Sequence, residues 1–443
     1  MMRKRGETMK SILYLFKEKF WLTPAIFSFL AVALSVSFFY VDLLLVDQFK
    51  EYIPSILLTK VDLAKTIMGT LAGALLTMST FTFSTILVVL TMYSAQFSPR
   101  ALKNFVHDPM TWRVLGIFLG GFIYNTLSLL FMRDDLYTHD VLSTFVGIVI
   151  AFFCLGTFAY FIHYIATTVQ VSKLIEELIG DTEDVISYYE DFEEKCIVSE
   201  ISPAWNPLGI IETVNAETSG YLQFLSFEKL LKHADKNGFE VDVLVCIGDF
   251  IYEGKPLMNI YRKEGQDYDV RGYYSIGGER SAEQDVPYAL QKLVEIALRA
   301  ISPGINDPNT ANDIIVRIGR LLGKIAHISH GEVVLANKEG QNIVKCMLPE
   351  FSGVLYKVYY QMAFYGKEDI SVLHSMADSL KIIAELSPSK HHQAIWDIQT
   401  YILESLEGQP LKSMDQDFLQ KKIDELAVAT DQRSVRIGAL SAE

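Results

Sequence analysis

Thr66, Thr70, Gly73, Thr77, Thr80, Ser84, Leu87, Thr91, Ser94 and Ser98 recur at alternating steps of four and three. Eight of the ten carry a hydroxyl, and no Asp, Glu, Lys or Arg lies between Lys65 and Arg100. A neutral row of hydroxyls can replace part of an ion's hydration shell without trapping the ion, which is the chemistry of a wettable pore wall. Leu87 interrupts the row. A ring of such leucines, one from each of several copies, would close the path by dewetting, so Leu87 is the gate candidate. The same residue types have a second use, because small and hydroxyl side chains let helices in lipid approach closely and hydrogen-bond across the contact. Both readings remain open at this point.

Other polar groupings carry less chemistry. Ser302, Asn306 and Asp307 share a turn between two helices and could form a ligand or coupling loop, while Asp307 followed by Pro308 also fits a helix cap. Asp108 before Pro109 has the same capping form. His391 and His392 are adjacent, point to different helix faces and make a poor metal pair. Cys154, Cys196, Cys246 and Cys346 are too far apart for a CxxC site and fit a reducing compartment. No nucleophile elbow, phosphate loop, metal-ligand spacing or paired acids can be found, so neither an enzyme nor a bound cofactor is expected. The pattern Gly248-Asp249 … Gly254-Lys255-Pro256-Leu257 resembles the barrel-sandwich folds of biotinyl and lipoyl carriers. It lacks their Met-Lys-Met hairpin, which implies a structural barrel without a swinging arm.

The elements that must carry the hydroxyl row are membrane helices. Four apolar runs, about Phe20 to Leu45, Thr66 to Ser98, Arg113 to Arg133 and Val141 to Val169, are each long enough to cross a hydrocarbon core ~30 Å thick. The first is too long for the apolar region of a cleaved signal peptide. The second carries eleven Ser/Thr in 33 residues. Its 3.5-residue period puts the row on one seam of a helix that supercoils left-handedly. At 1.5 Å per residue that helix is ~50 Å long and should extend beyond the bilayer. Pro99 disfavours helical geometry at Ser98 and should end it. The central part of every span lacks an acid or base, and His163 is the one titratable ring, near the end of the fourth. Ion-coupled transporters usually keep such a group in mid-membrane, whereas passive conduction needs none.

Flanking cations set the expected orientation. Arg3, Lys4, Arg5, Lys10, Lys17 and Lys19 precede the first run. Arg100, Lys103 and Arg113 lie between the second and third, and Lys173 follows the fourth. The other two loops balance Lys and Arg with acid. Both termini, with everything beyond residue 170, are therefore expected in the cytoplasm. Residues 1–169 carry a net charge of +3 and residues 170–443 a net charge of −17. The acidic part argues against a nucleic-acid partner, which needs a basic face, and weakly favours cations.

The expected organisation has four parts: a four-helix membrane domain over residues 1–169, a helical connector over 170–200, a small β-rich, barrel-sandwich-like domain over 201–280, and a mainly helical domain over 281–443. The fold class is thus an α-helical membrane domain plus an α+β cytoplasmic domain. The long motif from Gly278-Glu279-Arg280 through Gln284-Asp285-Val286-Pro287-Tyr288 to Ile301-Ser302-Pro303-Gly304-Ile305-Asn306-Asp307-Pro308 resembles a bacterial predicted membrane protein family, the domain of unknown function numbered twenty-two fifty-four. The Thr-rich helix ending in Gln96-Phe97-Ser98-Pro99-Arg100 and the stretch Ser219-Gly220-Tyr221-Leu222-Gln223 match the same family. The resemblance implies four membrane helices and a cytoplasmic domain in the bacterial inner membrane, and it supplies no activity. The physical reading gives the functional expectation: an oligomeric ion channel, with the seam lining the pore and the cytoplasmic domain gating it. Its partners would be lipid, further copies of itself and inorganic ions. The alternative is a membrane-anchored sensor or scaffold without a pore.

Overall fold

The computed structural model describes residues 22–49, 52–96, 109–133, 140–168, 170–199, 205, 207, 209–263, 269–406 and 411–437. The chain divides into two compact units, Met1–Lys173 and Leu174–Glu443. The first contains α1 (Leu22–Leu44), the one-turn α2 (Val46–Phe49), α3 (Val61–Gln96), α4 (Pro109–Phe131) and α5 (Ser143–Thr168). Four of these, α1, α3, α4 and α5, are long and apolar enough to cross a membrane. They match the four expected spans to within a few residues. The capping role suggested for Asp108 lies outside the described residues.

The centre of the first unit is α4, which packs against α1, α3 and α5. Its glycines are what permit this. A Cβ on Gly116 would come within 2.9 Å of the Phe27 ring, and one on Gly121 within 3.0 Å of Cys154 Sγ and 3.2 Å of Leu75 Cδ1. The small residues that bring helices together therefore stand on α4, in a span that reads from its composition as plain apolar. Ala31, Ala64, Met68, Tyr124, Met132 and Val141 form the packed core. The Ser35 and Ser128 hydroxyls meet at 3.1 Å between α1 and α4. Thr59, just before α3, and Val141, just before α5, exchange backbone hydrogen bonds of 3.0 and 2.9 Å, so these two helices start at one level.

The second unit is α+β. It takes in most of α6 (Val171–Lys195), followed by β1 (Ile197–Ser199), β2 (Ile210–Asn215), β3 (Gly220–Leu225), α7 (Phe227–Asn237), β4 (Glu240–Val243), β5 (Phe250–Ile251), β6 (Pro256–Arg262) and β7 (Tyr274–Gly277). Then come α8 (Val286–Ala300), α9 (Pro308–Ile325), β8 (Gly331–Ala336), β9 (Asn342–Leu348), α10 (Phe351–Gly366), α11 (Ile370–Leu386), α12 (His392–Glu404) and α13 (Ser413–Thr430). The strands form a six-stranded sheet ordered β1-β8-β9-β4-β6-β2 and a three-stranded sheet ordered β5-β3-β7.

This corrects the expectation of a barrel sandwich over 201–280. The turns after Val245 and Ile251 form as expected, but no barrel closes. Instead β4 runs parallel to β9, with Val241 opposite Val344, so the 201–280 stretch shares its main sheet with residues 331–348. The physical reason is burial. Val241, Ile260 and Val344 are almost fully buried, and a single sheet shared across the unit covers all three. The expected connector also proves to be a packed element. Leu174, Leu178, Val185, Ile186, Tyr189 and Phe192 make α6 apolar along one face, and that face is buried. Its polar side is tied to α9, where Arg320 and Lys324 meet Glu183 at 3.1 and 2.8 Å. The hydrogen bond from Lys324 holds the Glu183 carboxyl below its usual range.

Candidate functional site

α3 carries two parallel lines of residues, and the structure separates them. Ala64, Met68, Ala72, Leu75, Ser79, Thr82, Ile86 and Val89 are buried. Thr66, Thr70, Gly73, Thr77, Thr80, Ser84, Leu87 and Thr91 are all exposed in the protomer. Ser94 lies in α3 with its side chain outside the described set, and Ser98 lies beyond it. Among the described residues, the seam is thus not used to pack the helices of one chain. Packing falls to the other line, whose Leu75 fits against Gly121, whose Met68 lies 3.1 Å from where a Cβ on Gly147 would be, and whose Ser79 bonds the Leu75 carbonyl at 2.9 Å.

The threonine hydroxyls of the seam have a common state. Thr66, Thr70, Thr77, Thr80 and Thr91 each donate to the carbonyl four residues earlier, at distances from 2.8 to 3.1 Å. Each proton is consumed inside the helix, and the oxygen lone pairs are left facing outward. The seam is therefore a row of acceptors without formal charge. Such a row solvates a cation better than an anion and holds neither tightly. Leu87 stands in the row 48% exposed, its apolar surface turned the same way.

Neighbouring helices fix the depth of the seam. Going down α3, Gly69 faces Leu129, Leu75 faces Gly121 on the antiparallel α4, and the Phe81 ring lies 6.1 Å from Phe158 on α5. Continued by about two and a half turns from Leu75–Gly121 and by about one turn from Phe81–Phe158, these alignments place residues 84–87 of α3 near the level of Trp112 and Tyr164. Trp112 begins α4. Tyr164 ends α5, stacked 6.4 Å from Tyr160, with the Lys173 ammonium 5.3 Å above its ring. Trp, Tyr and Lys grouped at helix ends mark a membrane–water interface. By length and composition the apolar span of α3 runs from Val61 to Met92, so the described seam from Thr66 to Thr91 lies within it.

One residue that matters here is not legible as such in the sequence. Asp42, near the end of α1, is 1% exposed. Its carboxylate accepts from the Leu142 N–H at 2.7 Å and from the Ser143 N–H at 3.2 and 3.3 Å, so α1 caps the start of α5. Anions are stabilised at helix N-termini by the unpaired N–H groups and the helix dipole. The Tyr124 hydroxyl donates to the Ser143 carbonyl at 3.0 Å and fixes the same corner from α4. An acid a few residues before a helix end reads as an interfacial charge, and only the tertiary contact reveals it as a cap.

In the second unit, the specific Gly-Glu-Arg … Gln-Asp-Val-Pro-Tyr motif forms a clasp. Asp285 is buried, caps α8 through the Tyr288 N–H at 3.0 Å, and takes two hydrogen bonds from Arg280 at 2.8 and 2.9 Å. The Arg280 guanidinium also lies over the Tyr288 ring, 4.9 Å from its centroid. Gln284 bonds both the N–H and the carbonyl of Leu225, tying the start of α8 to β3. Gly248, at φ +87°, closes the clasp; a Cβ there would lie 2.1 Å from Asp285. These groups satisfy one another and secure the fold.

The Ser302–Asp307 turn is exposed. Asp307 caps α9 through Thr310, Ser302 bonds the Arg299 carbonyl at 2.6 Å, and Asn306 takes a left-handed φ of 52°. The three candidates are thus neighbours in space, each held by the local geometry of the turn. His391 lies against Phe351, with ring centres 4.4 Å apart, while His392 bonds the Ala384 carbonyl at 3.2 Å, so the pair diverges. Among the described residues, no group of three or more His, Cys, Asp or Glu is placed to hold a metal ion. Burial pushes the Cys246 thiol up to about 11 and the Cys346 thiol higher still, so neither is an activated thiolate.

A bundle with four membrane-spanning helices followed by an α+β unit defines the class: a multi-span membrane protein with a large extramembrane part. A family model described as a predicted membrane protein, DUF2254, matches residues 17–381, and the chain belongs to that family. Among curated relatives, an uncharacterized protein of Mycobacterium tuberculosis strain CDC 1551 is 25% identical over 343 residues, which cover 74% of this chain and 65% of the relative. Uncharacterized proteins of Mycobacterium bovis and of M. tuberculosis strain H37Rv match with the same identity and coverage. The chain thus spans just under two thirds of the length of these relatives. No solved structure matches it significantly.

Proposed function

We propose that this protein is an oligomeric ion channel of the bacterial inner membrane whose pore is lined by the hydroxyl seam of α3. The observation that carries the reading is the outward exposure of every described seam residue from Thr66 to Thr91, while the other line of the same helix is buried. Facing lipid, a row of outward lone pairs gains nothing and loses its hydration. Facing a shared axis, it meets water and ions. The back-bonded hydroxyls support a preference for cations, as does the net charge of −17 on residues 170–443. The flanking cations support both termini, and the α+β unit with them, on the cytoplasmic side. In this reading the α+β unit assembles and gates the pore, and the protein is not an enzyme.

Purified protein in a planar bilayer, recorded with ion substitution, tests this. Discrete openings are expected, with reversal potentials that follow the cation gradient. Leu87→Ser should raise the resting conductance, because a hydroxyl there removes the dewetting barrier. Current from neither protein overturns the channel in favour of a membrane-anchored sensor or scaffold. An unchanged resting current in Leu87→Ser removes Leu87 as the gate.

A further inference from the structure

Histidines gather where α9 and α11 end in the second unit. The His327 ring contacts the Leu386 carbonyl at 2.7 Å and the His392 ring the Ala384 carbonyl at 3.2 Å, both at the C-terminal end of α11. Half-buried His330 meets a carbonyl at each of its two ring nitrogens. Nε2 lies 3.0 Å from the oxygen of Ile325, the last residue of α9, and Nδ1 lies 3.2 Å from the oxygen of Pro349, in the link between β9 and α10. A carbonyl can only accept, and a neutral imidazole has a single N–H. The neutral ring would turn one nitrogen lone pair toward a carbonyl lone pair. The imidazolium donates to both.

We propose that His330 is held as an imidazolium and works as a proton-operated latch, which on losing its proton releases the junction of α9, β8 and the β9–α10 link. The groups around it favour the charge. The Ile325 carbonyl stands at the negative end of the α9 dipole, where a cation is stabilised. Glu193, near the end of α6, accepts from the Ser329 N–H at 2.6 Å, and the Glu350 carboxylate lies against Gly331. Both chain neighbours of His330 therefore touch a carboxylate. From the start of α12, the His391 ring lies 5.4 Å away and opposes the charge only when itself protonated; Lys390 precedes it in the chain. The nearby Phe351 ring is neutral. Lys324 is paired with Glu183 and Glu332 with Lys345, so neither is aimed at the ring. The raised proton affinity belongs to the folded state. Its stabilisation is complete below the ordinary histidine value of about 6.5 and is lost as pH rises through the folded value. The latch is closed at low pH and opens as pH rises. It acts on α6 through Glu193, and α6 starts three residues after α5 ends in the chain. The inference is independent of the channel reading, since every group in it belongs to the second unit.

Hydrogen exchange on the full chain in detergent tests this. Deuterium uptake at each histidine ring Cε1–H, followed by mass spectrometry across the histidine range from about pH 5 to about pH 9, gives the titration midpoint of each ring. His330 should titrate about one unit above an ordinary histidine, a tenfold shift in its proton equilibrium. A midpoint at or below the ordinary value overturns the proposal, and this reading needs no variant. Backbone amide exchange over residues 190–199 and 326–336, corrected for the intrinsic effect of pH, gives the second reading. Wild type should lose protection about tenfold as pH rises through the His330 midpoint. His330→Gln takes no proton, so its protection should be low already at acid pH and stay flat. Equal pH profiles in wild type and His330→Gln overturn the latch. So does a wild-type slope that survives in His330→Gln and disappears in His391→Gln.

Discussion

At the scale of single residues, the molecule separates groups that act on themselves from groups that face outward. Asp42 acts inward. Its two oxygens are the partners of two N–H groups at the start of α5. Asp42→Ala would leave those donors buried and unpaired, a cost of about 2 kcal/mol. Asp42→Asn keeps one acceptor and should lose less. Thermal unfolding in detergent should therefore rank wild type above Asp42→Asn, and Asp42→Asn above Asp42→Ala. Thr66, Thr70, Thr77, Thr80 and Thr91 of α3 face outward although their protons do not. Back-bonding to the fourth preceding carbonyl turns a donor–acceptor group into an acceptor, so the seam has a polarity that a count of hydroxyls misses.

At the scale of elements, α4 sets the spacing of the membrane unit and α3 carries its hydroxyl row. Gly121 sits where α3, α4 and α5 meet. Gly121→Leu forces bulk against Cys154, Ile150 and Leu75 and should destabilise the bundle by about 3 kcal/mol. A lower unfolding temperature, with membrane insertion retained, would show it. The seam was legible from sequence because its period and composition are strong over nine turns. Its direction was not, because a 3.5-residue line fits an internal packing face and an external one equally well. Deciding between them needs the second line, from Ala64 to Val89, to be seen buried. In the α+β unit the helices from 351 onward were legible from their caps and breakers. The short α7 was not, because its eleven residues lie among strands. Nor could the β4–β9 pairing be read, since Val241 and Val344 are a hundred positions apart and parallel pairing leaves no local turn to announce it.

At the scale of the whole molecule, a pore lined by one helix per chain requires more copies than one. Native mass spectrometry from detergent should give a closed ring of more than two copies. A monomer or a two-fold dimer would tell against a central pore, since two helices cannot enclose one.

The cap on α5 has a consequence for biogenesis. Its two acceptor oxygens lie about a hundred residues earlier in the chain, on α1, which is synthesised before α5. When α5 enters the membrane its first N–H groups find no local side-chain oxygen among the described bonds. They are satisfied only once α1 is already in place and correctly turned. Asp42 therefore couples the two helices: α5 gains its cap only where α1 has inserted with Asp42 at the level of Ser143.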